Sequence, residues 1–176
     1  KRDDEVHSSA DLARAKLQPR QPTAAEREAA GGLEPITASD WRLVLAAGVA
    51  DIAHPLDLFT AYDAQKLPEQ RLLAVVQTLR FAPELPRHAM MHAAQLYAGC
   101  WLRRERLSSL LVQHMPGDAG SAKRRPHIHI VTPVRTHRLS GFGEIHESFR
   151  QDLAEMQHDF EATWRRALEL ASTMDG

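Results

Sequence analysis

Apolar and polar positions follow different rhythms along this chain, and those rhythms predict its elements. Residues 1–35 carry few large apolar side chains among Ala, Arg, Glu, Asp and Gln, and are punctuated by Pro19, Pro22, Gly31, Gly32 and Pro35. Such a stretch cannot bury enough apolar surface to fold alone. It reads as a mobile or loosely packed N-terminal arm, with short helices over 11–18 and 24–30 either docked or fraying, ahead of a single domain over 36–176. Thr37, Ser39 and Asp40 stand before Trp41-Arg42-Leu43-Val44-Leu45, a helix-start signal that predicts a helix over 39–53, although WRLVLA is also readable as a strand. Pro55 opens the next helix, with Leu56, Leu58, Phe59 and Tyr62 at roughly helical spacing. Alternation around Gln77, Thr78 and Arg80 predicts a central strand over 72–81.

Pro86 begins a helix expected to run to 106, with Met90, Ala93, Ala94, Tyr97, Cys100 and Trp101 forming one buried stripe and Arg103, Arg104, Glu105 and Arg106 closing its end. Ser140-Gly141-Phe142-Gly143 reads as a turn. The longest helix is expected over 144–174, where Phe149, Leu153, Met156, Phe160, Trp164, Leu168 and Ala171 recur every three or four residues. Together these segments predict an α+β fold, an antiparallel sheet packed with helices and ending in a long C-terminal helix.

The strongest strand pattern lies between these helices, in LSSLLVQHMPGDAGSAKRRPHIHIVTPVR at 107–135. Two apolar runs, 107–115 and 127–134, flank a polar segment, which predicts a long-looped hairpin. Side chains alternate faces along a strand, so His127 and His129 share one face while Ile128 and Ile130 enter the core. Antiparallel pairing brings His114 beside them, giving three imidazoles with an open coordination position, a candidate catalytic metal site. Ten histidines in 176 residues will produce chance pairs. Two polar rings on one face of an apolar strand nevertheless need partners if covered, and a shared ion supplies them.

Composition narrows the picture further. With 43% hydrophobic residues the chain can build a core, and a net charge of −1 carries no global signature of nucleic-acid binding, so such binding would have to be local. Lys123, Arg124 and Arg125 in the hairpin loop are candidate phosphate contacts. The lone Cys100 cannot form an internal disulfide and no apolar run reaches the length of a membrane span, so a cytoplasmic setting is expected. The sequence begins at Lys1 rather than a methionine, which leaves open that it is a piece of a longer protein.

LPRH at 85–88, VQH at 112–114, RPHIHIVTPVR at 125–135, GFGE at 141–144 and TWRRAL at 163–168 together resemble the MobA/MobL-type relaxases of plasmid mobilisation, members of the HUH endonucleases. The resemblance covers about residues 70–175. It places His127, Ile128 and His129 on the family's histidine–hydrophobic–histidine motif and His114 on its third metal ligand, and matches Arg135 with the arginine that precedes GFG. It implies a divalent metal (Mn, Mg or Zn), single-stranded or origin DNA and relaxosome proteins as partners, Arg135 at the DNA, and site-specific nicking with strand transfer.

Those relaxases attack with a tyrosine upstream of the histidine motif. This chain has only Tyr62 and Tyr97. Tyr97 falls in a buried stripe, which leaves Tyr62 as the candidate catalytic nucleophile. LFTAYDAQ does not resemble the family's tyrosine segment, however, and residues 1–70 show no counterpart of its first strand and tyrosine helix. The competing expectation is a non-catalytic relaxase-like module that binds nucleic acid or protein. HIHIVTPVR also resembles the histidine-triad nucleotide hydrolases, which need a third alternating histidine where Val131 stands.

Overall fold

The computed structural model describes residues 8–119 and 125–174. Its centre is the expected hairpin: β3, Ser109–His114, pairs antiparallel with β4, His127–Pro133. Strand β1, Asp40–Val44, lies outside β3, and β2, Ala74–Arg80, lies outside β4, so the four strands run in the order β1-β3-β4-β2, all antiparallel. Alternation along the inner pair feeds two cores. Leu111, Ile128 and Ile130 join the cluster on one side of the sheet, while Leu110, Val112 and Val131 join the cluster on the other.

Helices cover both faces. On the Ile128 side pack α4, Arg87–Tyr97, and α5, Leu153–Met174, whose Phe160 and Trp164 meet Trp101, Tyr97 and Phe81 with ring centroids 4.9 to 5.8 Å apart. On the Val131 side pack α1, Ser9–Leu17, and α3, Pro55–Ala64. The short α2, Ala24–Ala29, is closed by a Thr23–Glu26 capping box and buries none of its residues. The fold is therefore α+β, with an antiparallel sheet carrying the His-Ile-His strand and a long C-terminal helix. Among the described residues no helix is long and apolar enough to cross a membrane.

Several elements differ from expectation, mostly because distant pairing decides what local signals leave ambiguous. Residues 40–44 form a strand rather than the start of a helix: Trp41 and Leu43 alternate in register with Val112 and Leu110 of β3, and both enter the same core. Strand β2 is an edge strand, not a central one. Helix α4 gives way to a π turn, Ala98–Leu102, whose wider hydrogen bond runs from Arg103 N to Ala98 O at 2.9 Å. The extra residue per turn breaks the expected stripe, leaving Cys100 exposed and Trp101 half-buried.

The last helix starts at Leu153 rather than at 144: β5, Arg135–Arg138, and β6, Gly141–Ile145, form a hairpin, and a 3-10 turn at Glu147–Phe149 follows it. Gly141 has φ +111, and a Cβ there would meet Gln65 Oε1 at 2.6 Å. In the stripe of α5, Leu168 is 41% exposed, and the side chains of Leu153 and Ala171 lie outside the described set.

The expectation of a loose arm fails for α1. Ala13 and Leu17 are fully buried. Ser8 caps the helix, and the Asp63 carboxylate at the end of α3 accepts hydrogen bonds from Ser9 Oγ at 2.7 Å, Ser9 N at 3.1 Å and Ala10 N at 2.9 Å. An acid at a helix N-terminus satisfies orphan amides and favours the helix dipole. Composition could not show this, because the partner lies 54 residues away.

Candidate metal centre

The triad is built by strand register. His114 of β3 pairs directly with His127 of β4, and Val112 pairs with His129, so the three rings occupy one end of the sheet face covered by α1 and α3. Their centroids are 4.9 to 5.1 Å apart, and one nitrogen from each lies within 4.8 Å of the others. Two ligand nitrogens on a tetrahedral ion at about 2.0–2.1 Å sit roughly 3.4 Å apart, so small ring rotations would close the site.

Each imidazole is anchored through one nitrogen. His114 Nε2 donates to the Lys16 carbonyl at 2.7 Å, and His127 Nδ1 donates to the Arg125 carbonyl at 3.0 Å. A carbonyl only accepts, so those nitrogens carry the protons and the lone pairs rest on His114 Nδ1 and His127 Nε2. Thr78 Oγ1 lies 3.0 Å from His129 Nδ1, and a hydroxyl can accept from it, leaving Nε2 to present its lone pair. Anchoring of the non-ligating nitrogen by carbonyls or hydroxyls is the arrangement that orients metal-binding histidines.

Burial disfavours the charged form of His114 and His129, and the neutral form is the one that ligates. Burial lowers the pKa of His114, helped by the neighbouring His127 and Lys16 charges, while the bond to the Lys16 carbonyl works against it. Burial, with Lys16, His114, His127 and Arg80, pushes His129 down to about 3. No hydrogen bond or ion pair of the three histidines involves a carboxylate among the described residues. The donor set thus fits a divalent ion: three half-buried imidazoles, each with one nitrogen beside a hydrogen-bond partner and one free.

The other residues singled out by sequence fall elsewhere. Tyr62 is not placed to be a nucleophile at the triad. It is fully buried, its hydroxyl accepts from Gln70 Nε2 at 2.5 Å and lies beside the backbone of Val134, and burial raises its pKa. Val134 is five residues beyond His129, a separation of roughly 16 Å at about 3.3 Å per strand residue. Tyr97 packs on the opposite face of the sheet, where burial raises its pKa and its hydroxyl accepts from Gln77 Nε2 at 2.8 Å.

Arg135 is likewise turned into the fold. Only 5% exposed, it donates from Nε to Gly143 O at 2.5 Å, from Nη2 to Phe142 O at 2.7 Å and from Nη1 to Gln65 O, and its guanidinium lies over the Tyr62 ring at 5.9 Å. Arg125 is exposed beside the triad, while Lys123 and Arg124 lie outside the described residues.

Three neighbours of the triad were not singled out by sequence. Thr78 and Arg80 of β2 pair with His129 and His127. Their two-residue spacing put them on a common face, but only the register across β4 shows which face it is. Lys16 arrives on α1, and no local pattern announces it. A scan against protein-family models finds no match to this chain, and a search of curated proteins finds none either.

Proposed function

We propose that this chain is a relaxase-like, metal-dependent nucleic-acid-binding module in which His114, His127 and His129 hold a divalent ion against a phosphate of single-stranded DNA. The observation that carries this reading is the anchoring pattern: three imidazoles share a cluster of ring nitrogens, two are tied through their other nitrogen to backbone carbonyls and the third stands beside a threonine hydroxyl. The sequence resemblance supports it, because the same three histidines match the family's metal ligands. A bound divalent ion would supply Lewis-acid polarisation of a phosphoryl oxygen. An all-nitrogen set without carboxylates favours zinc over the oxygen-seeking magnesium and manganese. Arg125, and Lys123 and Arg124 from the same loop, would add salt-sensitive phosphate contacts, with origin DNA and relaxosome proteins as partners in a cytoplasmic setting.

Nicking and strand transfer at a plasmid origin is the second reading, favoured by the resemblance over residues 70–175. It requires a nucleophile other than Tyr62 and Tyr97, since both are enclosed away from the histidines. The test measures fluorescence anisotropy of labelled single-stranded DNA with manganese, zinc or a chelator, followed by denaturing electrophoresis. Metal-dependent binding without a covalent adduct is expected. An adduct lost in Tyr62→Phe and retained in Tyr97→Phe would overturn the binding-module reading.

A further inference from the structure

The charge around the triad has one sign. In register across the sheet, His114, His127 and Arg80 form a single row, and the row beside it holds Val112, His129 and Thr78. Directly opposed residues share a face and stand about 5 Å apart at Cβ, so Arg80 projects from the triad face next to His127. From above, the last turn of α1 sets the Lys16 carbonyl on His114, and the Lys16 charge is felt at both His114 and His129. Among the described residues neither Lys16 nor Arg80 makes an ion pair. No acid is among the charges felt at His114 or His129, and Asp118, Asp40 and Asp63 are paired with Arg87, Arg42 and the start of α1.

Sites that hold a cation on protein ligands alone commonly balance it with carboxylates or thiolates. Here three neutral ligands would leave an ion's charge undiminished and two unpaired cations would add to it. Like charges crowded together are costly unless an anion joins them. The compensating group must therefore come from the ligand, and it must offer several oxygens to an ion and two cationic side chains at once. A phosphate does this, as monoester, diester or free ion.

We propose that Lys16 and Arg80 are phosphate-positioning residues that grip the non-bridging oxygens of a phosphate seated on the triad's metal ion. This rests on the metal-centre reading above and adds the recognition elements that the sequence resemblance does not supply. Helix α1 is then a component of the site, delivering Lys16 and anchoring His114 together.

The experiment uses the full chain, with zinc affinity by calorimetry in phosphate-free buffer and oligothymidylate affinity by anisotropy with zinc present. In Lys16→Met and Arg80→Gln, zinc should bind about threefold more tightly, because a repelling charge is gone. Oligothymidylate should bind roughly tenfold more weakly, because a charge-assisted hydrogen bond is lost, with a salt slope shallower by about 0.7 per contact. Lys16→Arg should restore oligonucleotide binding. The opposed signs are the signature, since a merely structural Lys16 would weaken both ligands together, and that result overturns the proposal.

Inorganic phosphate is the competitor. Displacement of the oligonucleotide by phosphate at comparable concentration assigns the site to free phosphate, and resistance assigns it to a nucleic-acid backbone; either keeps the phosphate chemistry. If wild type binds zinc and oligothymidylate and both variants match it, Lys16 and Arg80 are excluded while the metal centre stands. A wild-type chain that binds no zinc removes the metal centre and this assignment with it.

Discussion

One face of the sheet carries polar aromatic groups at both ends, and the two ends differ in what their hydrogen bonds leave over. At the far end, the Tyr62 hydroxyl is held by Gln70, the Arg135 guanidinium spends itself on three carbonyls, and Phe142 stands edge-on to Tyr62 with centroids 4.8 Å apart. Apart from Gln70 Oε1, the side-chain polar atoms named there are used, and the residues are buried. At the near end, His114 and His127 each spend one nitrogen on a carbonyl and keep the other, while His129 stands against Thr78, and all three remain half-buried. Polar groups packed on the same side of the fold thus make a staple at one end, from α3 and the β5-β6 hairpin, and a candidate ligand set at the other, from β3 and β4. The difference lies in unspent lone pairs, not in burial alone.

The largest expected effect breaks the staple. Arg135→Ala would strand three carbonyls at about 1–3 kcal/mol each where water cannot replace the donor, for a net loss of about 4 kcal/mol in urea unfolding. Oligonucleotide binding by the surviving folded fraction should be unchanged. A variant that folds normally but binds DNA poorly would reverse the assignment of Arg135 from staple to contact. The near end should behave oppositely. His127→Ala or His129→Ala should cost more than about 100-fold in zinc affinity, roughly 3 kcal/mol, with a smaller change in folding stability. Calorimetry that finds zinc affinity intact in both would remove the metal centre.

Acid should separate the two ends again. The ordinary imidazole pKa is 6.5, and burial holds His129 at about 3 in the folded chain. Between those values the unfolded state binds the extra proton, so the stabilisation is complete above about pH 6.5 and is lost as pH falls toward 3. His114 and His137 are lowered by burial too and add in the same direction. For the metal-free chain in chelator, the urea midpoint should fall across this window, and His129→Ala should flatten the fall without abolishing it. A midpoint in His129→Ala with the same pH slope as wild type would mean that this ring is not the one held neutral.

Legibility in the sequence followed the range of the interactions. The hairpin of β3 and β4 was readable because its alternation and its polar loop are local, and the face shared by His127 and His129 follows from strand geometry alone. Residues 40–44 carried helix-start and strand signals together, and a partner some 70 positions later chose between them. Residues 141–143 read as part of a turn and 144 as the start of a helix, yet Gly141–Ile145 is a strand that pairs with β5 across a register shift. Lys16 was invisible for the same reason as the docking of α1: Asp63 and His114, the groups that fix its place, lie far along the chain. Tyr62 stood as the candidate nucleophile only because Tyr97 falls in a buried stripe, and Gln70, Phe142 and Arg135 around it reveal a core residue.

The smallest effect is the sharpest test of the comparison, because it changes one atom. Tyr62→Phe keeps the ring against Phe142 and beneath Arg135, and removes only the hydroxyl that Gln70 Nε2 reaches at 2.5 Å. Gln70 also donates to the Leu72 carbonyl at 2.8 Å, so its amide is not left wholly without a partner. The loss should therefore be near the net value of one hydrogen bond, about 1 kcal/mol, seen as a lower urea midpoint with an unchanged denaturant slope. Zinc affinity and metal-dependent DNA binding should match wild type, because the hydroxyl lies along the strand from the histidines rather than among them. A Tyr62→Phe chain of normal stability that fails to bind or process DNA would show that the two ends of this face act together, and the division between staple and ligand set would be wrong.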